Sequence, residues 1–99
     1  MIIRGGENIS TLEVENNLDK HDDVLESCAC GIPDEKFGEI VGALIYATKK
    51  IDEDEIKDFL SKTLATYKIP EIIKFTDKPL PRIASEKIDR VGIKDILSS

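Results

Sequence analysis

From Ile40 to Thr48 the chain reads Ile-Val-Gly-Ala-Leu-Ile-Tyr-Ala-Thr, nearly unbroken apolar sequence. A strand with one wet face alternates apolar with polar residues, so a run without alternation predicts a strand buried on both faces. The rest of this 99-residue chain must supply cover for both sides. Val24 to Ile32 predicts a second strand, in which Cys28, Ala29, Cys30 and Gly31 are small enough for close packing on either side. The connecting loop, Pro33 to Gly38, is short enough to make the two an antiparallel pair.

The clearest helix follows. Asp52 is placed to cap it, with Glu55 three residues on, and Ile56, Phe59, Leu60, Thr63 and Leu64 recur at helical spacing. It should end near Ala65, because Pro70 disfavours helix at Ile69. Glu71 to Thr76 alternates, with Ile73 and Phe75 on one face, and predicts a third strand. Strand, helix, strand suggests a crossover onto the same sheet. Upstream, Met1-Ile2-Ile3 runs into Gly5-Gly6, and Ser10-Thr11-Leu12-Glu13 has the form of a capping box opening a helix to about Lys20. Leu12, Val14 and Leu18 are its apolar contacts. A proline-bounded stretch, Lys78 to Glu86, leads to a last helix from about Arg90 to Leu97. The fold class is α+β: one domain with a small mixed sheet of about three strands packed with helices, plus a short N-terminal hairpin if Gly5-Gly6 turns the chain back.

Charge narrows the partners. Twenty acidic residues against 14 basic give a net charge of −6, which disfavours a nucleic-acid or anionic-membrane binder. The distribution is uneven: residues 1–60 hold 15 acidic and 6 basic residues, residues 61–99 hold 5 and 8. An anionic small molecule is best met at the positive end. No apolar run is long enough for a transmembrane segment and no secretory leader pattern is present, so a cytoplasmic location is expected. A chain this short is not expected to bury a large substrate pocket by itself.

The familiar catalytic signatures are missing. There is no P-loop, Gly5-Gly6 is not a dinucleotide fingerprint, and His21, the single histidine, has no nucleophile partner in sequence. Cys28 and Cys30 share one face if they lie on a strand, about 7 Å apart, too far for a relaxed disulfide; with one histidine and no second cysteine pair, no zinc set is implied. Two segments remain. Arg4-Gly5-Gly6-Glu7-Asn8 is either an ordinary tight turn or a place where a thin ligand approaches bare backbone. Arg82, Lys87 and Arg90 fall within nine residues of little helical periodicity. That is either a solvated basic turn or a loop whose lysine neutralises carboxylate and phosphate oxygens.

In this order and spacing the two segments resemble the C-terminal domain of AMP-forming acyl-CoA synthetases, in the superfamily that also holds luciferases and peptide-synthetase adenylation domains. Gly5-Gly6-Glu7-Asn8-Ile9, Pro33-Asp34-Glu35 with Gly38-Glu39, Tyr67-Lys68-Ile69-Pro70, Leu80-Pro81-Arg82 and Lys87-Ile88-Asp89-Arg90 are its five landmarks, spread over essentially the whole chain. The resemblance implies a two-step ligase: a carboxylic acid, fatty or related, and ATP with Mg2+ give an acyl-adenylate, and the thiol of coenzyme A then displaces AMP. It implies a partner, a larger N-terminal domain holding most of the ATP and acyl sites, without which the 99 residues are inactive. It aligns Lys87 with the catalytic lysine of the first step, and Gly5, Gly6, Glu7 and Asn8 with the loop lining the pantetheine channel of the second. Two departures stand out: Glu86 takes the place before the lysine where the family most often has Gly, and His21-Asp22 replaces His-Pro. Two other readings keep the same fold, a carrier-protein-dependent adenylation domain and a stand-alone, non-catalytic binding module.

Overall fold

The computed structural model describes residues 1–99. In chain order the elements are strands β1 (Ile2–Arg4) and β2 (Glu7–Ile9), helix α1 (Thr11–Leu18), strands β3 (Glu26–Asp34) and β4 (Gly38–Tyr46), helix α2 (Glu53–Ser61), a 3-10 turn (Thr66–Lys68), strand β5 (Ile72–Thr76) and helix α3 (Arg90–Ser98). The apolar run is β4, and it is the hub of the sheet. It pairs antiparallel with all of β3, from Asp34↔Gly38 to Glu26↔Tyr46. On its other edge it meets β1 at Gly38 and then runs parallel to β5 from Gly42↔Ile72 to Tyr46↔Thr76. The parallel pair is the crossover expected from strand, helix, strand, with α2 in the connection.

The sheet therefore has five strands rather than about three. The other two, β1 and β2, are the N-terminal hairpin, and at three residues each they are too short to show an alternation in sequence. Alternate residues of β4 face two separate cores. Val41, Ala43 and Ile45 pack with Ile2, Ile9, Val14, Leu18, Ile56 and Leu60 under α1 and α2. Leu44, with Cys28, Cys30 and Ile32 of β3, packs under Ile93 and Leu97 of α3. No helix is long and apolar enough to cross a membrane.

Local corrections have local causes. Leu12 is exposed, because the buried face of α1 is made by Val14, Glu15 and Leu18. The capping box half-closes: Ser10 Oγ accepts from the Glu13 amide at 3.2 Å, but the Glu13 carboxylate turns away to pair with Lys68 at 2.9 Å. Asp52 caps α2 by position without a side-chain hydrogen bond. Helix α2 stops at Ser61 rather than near Ala65, its last turn tightening as Lys62 and Thr63 donate to Phe59 and Leu60, and Thr63 is exposed. The 33–38 loop shrinks to Glu35–Phe37, since Asp34 and Gly38 already pair.

Candidate functional site

The five sequence landmarks gather at two places. Three meet at the Gly38 end of β4. Gly5 and Gly6 adopt φ of +56° and +87°, the two left-handed positions of a type I′ hairpin turn between Arg4 and Glu7. Ile2 and Ile9 anchor this hairpin in the core, while Gly5, Gly6, Glu7 and Asn8 are all exposed. The turn is tied to the β3–β4 loop: the Gly5 amide donates to Phe37 O at 2.8 Å, and the Arg4 guanidinium lies 3.9 Å from the centre of the Phe37 ring. Asp34 holds that loop tight, its carboxylate accepting from the Lys36 and Phe37 amides at 3.1 and 2.9 Å. Arg4 Nε also reaches Glu71 at 3.2 Å, which brings in the segment after Tyr67-Lys68-Ile69-Pro70. The result is a firmly tethered turn with its backbone open to solvent. A Cβ at Gly6 would meet nothing within 4 Å.

The other two landmarks flank a loop whose Arg82 stem is held at the opposite, Tyr46 end of β4 and whose Arg90 stem is held at Ala29, opposite Ala43. Residues 83–87 form a loop closed by an antiparallel bridge between Arg82 and Ile88, with the Ile83 amide donating to Lys87 O and the Glu86 amide to Ile83 O, both at 2.9 Å. Lys87 is exposed and takes part in none of the ion pairs, so its ammonium is free to meet an anion. Glu86 beside it has φ +71°, the one non-glycine residue in the left-handed region. It occupies a backbone position that suits glycine.

Both stems of this loop are fastened to the rest of the domain. The Glu26 carboxylate accepts from the Leu80 amide at 3.1 Å and pairs through both oxygens with Arg82, which also donates to Leu80 O at 3.0 Å. The Arg82 hydrogen bonds hold the Glu26 carboxyl below the ordinary value of 4.5, against the opposing effect of burial. On the other stem, Arg90 pairs with both oxygens of Glu15 at 2.9 and 3.2 Å and donates to Ala29 O at 3.1 Å. Glu15, the one buried charged residue, also accepts from the Ala29 amide at 2.8 Å. Sequence reasoning missed both anchors: Arg82 and Arg90 lie inside landmarks, but their partners Glu26 and Glu15 lie outside them, 56 and 75 residues away.

Lys87 and the Gly5-Gly6 turn are not brought together. Gly38 stands beside the turn, while Glu26, which binds Arg82, pairs in register with Tyr46 eight residues further along β4. At ~3.3 Å per residue the Arg82 stem of the lysine loop lies roughly 26 Å along the strand from Gly38.

The remaining chemistry-bearing residues are structural. Cys28 and Cys30 are unbonded and buried side by side under α3. Burial pushes the Cys28 thiol up to about 11, with Arg90 opposing, and raises Cys30 as well, so neither is a ready nucleophile. His21, Asp23 and Glu55 place ligand atoms within 4.8 Å of one another. Both ring nitrogens are engaged, however: Nδ1 accepts from the Asp23 amide at 3.1 Å, so Nε2 bears the proton and donates to Glu55 at 2.9 Å. The ring stands edge-on to Phe59 at 4.9 Å and ties the end of α1 to α2.

The model of the AMP-binding enzyme C-terminal domain matches residues 13–87. An oxalate–CoA ligase of Arabidopsis thaliana is 42% identical over 92 residues, covering 91% of this chain and 18% of that protein. A 2-succinylbenzoate–CoA ligase of Bacillus licheniformis is 41% identical over 90 residues, covering 91% of this chain and 19% of its own length. In three dimensions, a fatty acyl CoA synthetase of Mycobacterium tuberculosis superposes with a TM-score of 0.89 at 34% identity, over 99% of this chain and 20% of that one. The chain thus spans about a fifth of the proteins it matches. Five landmarks in register, the α+β fold and the matched family model lead to one conclusion: the chain belongs to the AMP-binding enzyme C-terminal domain family.

Proposed function

We propose that this chain is the mobile C-terminal domain of an AMP-forming acid–CoA ligase, and that its two ends serve the two chemical steps in turn. The observation that carries the proposal is the separation of the exposed, unpaired Lys87 from the exposed Gly5-Gly6 turn along β4. In the first step a carboxylate approaches the α-phosphate of ATP and negative charge crowds at the reacting centre. A fixed ammonium relieves that charge in the transition state, which is the role proposed for Lys87. In the second step a thiol on a narrow pantetheine arm attacks the acyl-adenylate. The Gly5-Gly6-Glu7-Asn8 turn, rigidly tethered and bare of side chains at its tip, suits one wall of that channel. With the Arg82 stem of the lysine loop and the glycine turn far apart along β4, the domain would turn between steps against the larger N-terminal domain that we propose as its partner. ATP with Mg2+ and coenzyme A would be bound mainly by that domain, and the 99 residues alone would be inactive.

Relatives of nearly equal identity are named for oxalate and for 2-succinylbenzoate, two very different acids. That supports placing acyl selection outside this domain, with fatty or related carboxylic acids as the substrate class to try first. The test is ATP–pyrophosphate exchange by the synthetase carrying this domain, across a panel of acids, followed by thioester formation with CoA and with a phosphopantetheine-loaded carrier protein. Exchange with one acid class and thioester formation with CoA are expected. Thioester formation only on the carrier would make this a carrier-dependent adenylation domain, and no exchange with any acid would leave a non-catalytic binding module of the same fold.

A further inference from the structure

Resting on the ligase reading, we propose that Arg82 is a positioning residue for Lys87. Paired with Glu26 of β3, it fixes the N-terminal stem of the 83–87 loop, so that the ammonium is presented at a set place relative to the sheet. Three observations converge on it. The loop's own bonds do not hold it to the sheet: its amides at Ile83 and Glu86 bond only within the loop. Its tip carries a glutamate in a left-handed conformation, a position the loop holds against a steric cost. The stem, in contrast, is stitched to one carboxylate by three donors, the Leu80 amide and both terminal nitrogens of Arg82, and Arg82 returns a bond to Leu80 O. The opposite stem is held by Arg90 on Glu15, whose carboxylate is buried. The Glu26 carboxylate is less buried than that of Glu15, with 26% of its side chain exposed against 10%, so the Arg82 anchor can be cut with less risk to the fold. A charge five residues from its anchor moves readily if one stem swings free, and displacement of a catalytic group by about 1 Å can cost up to ~100-fold in rate.

The experiment uses the synthetase carrying this domain, with wild type, Lys87→Ala, Arg82→Ala and Arg82→Lys compared. Arg82→Ala is expected to lower the maximal rate of ATP–pyrophosphate exchange roughly tenfold or more, with KM for ATP and for the acid within about twofold of wild type. Thioester formation from supplied acyl-adenylate should change less than twofold. Arg82→Lys, which keeps the charge on Glu26, should recover most of the loss, and amide hydrogen exchange of the 80–90 segment should speed up in Arg82→Ala alone. The positioning role is overturned if Arg82→Ala adenylates like wild type, if both half-reactions fall equally, or if adenylation slows with no rise in amide exchange. If wild type itself shows no exchange with any acid, the ligase reading falls and the positioning role with it. If wild type is active and Lys87→Ala is slow while Arg82→Ala is not, only the positioning role falls.

Discussion

At Glu86 backbone geometry and residue type disagree. Its φ of +71° costs an L-residue with a Cβ of order 1 kcal/mol, and glycine is spared that cost. Glu86→Gly is therefore expected to raise thermal stability over Glu86→Ala by roughly 1 kcal/mol, reduced by the extra freedom glycine has in the unfolded chain. Denaturant titration of the two variants measures the difference, and equal midpoints would mean that the loop relaxes around any residue. The same reasoning sets how the Gly5-Gly6 turn should be probed. Valine at Gly6 would be strained by its φ of +87° whatever the space around it, whereas asparagine tolerates left-handed backbone and would project into the open space there. Gly6→Asn thus alters the tip of the turn while sparing the hairpin.

At the scale of elements, the Glu15–Arg90 pair fastens α1, β3 and the start of α3 together. Removing Arg90 leaves a buried carboxylate with only the Ala29 amide to answer it. Because half the Arg90 side chain is exposed, the cost should lie below that of a fully buried pair, at about 2–3 kcal/mol for Arg90→Leu in chemical denaturation. The Glu26 anchor carries a pH signature. Its folded carboxyl titrates below 4.5, so its contribution is complete above that value and is lost as pH falls through the lower, folded one. Amide exchange at Leu80, corrected for intrinsic rates, should accordingly accelerate only below about pH 4.5 in wild type and show no such step in Glu26→Gln. Elements with a strong period were legible in the sequence: β4 from its unbroken apolar run, β3 from its small residues, α2 from its apolar stripe, and the crossover from their order. What was not legible is pairing at long range. Nothing local announces that Glu13 will turn from Ser10 to Lys68, or that Glu26 will find Arg82 across 56 residues. Lys87 and the Gly5-Gly6 turn were legible as candidates through their landmarks, but the distance along β4 between the turn and the Arg82 stem of the lysine loop follows only from the register of the sheet.

For the whole molecule, one rigid sheet with a separate core on each face joins an exposed lysine at one end to an exposed glycine turn at the other. Such a body changes what it offers a partner by rotating, without refolding. The proposed function assigns one end to each chemical step, and the most direct test is to measure both half-reactions of the synthetase proposed to carry this domain, in Lys87→Ala and Gly6→Asn. Lys87→Ala should slow acyl-adenylate formation by about 10²–10³, the loss of one oriented donor to transition-state charge, and leave thioester formation from supplied adenylate largely intact. Gly6→Asn should do the reverse, sparing pyrophosphate exchange and slowing attack by CoA. Equal losses in both half-reactions for both variants would contradict the account, since they would mean that the two ends act in the same step.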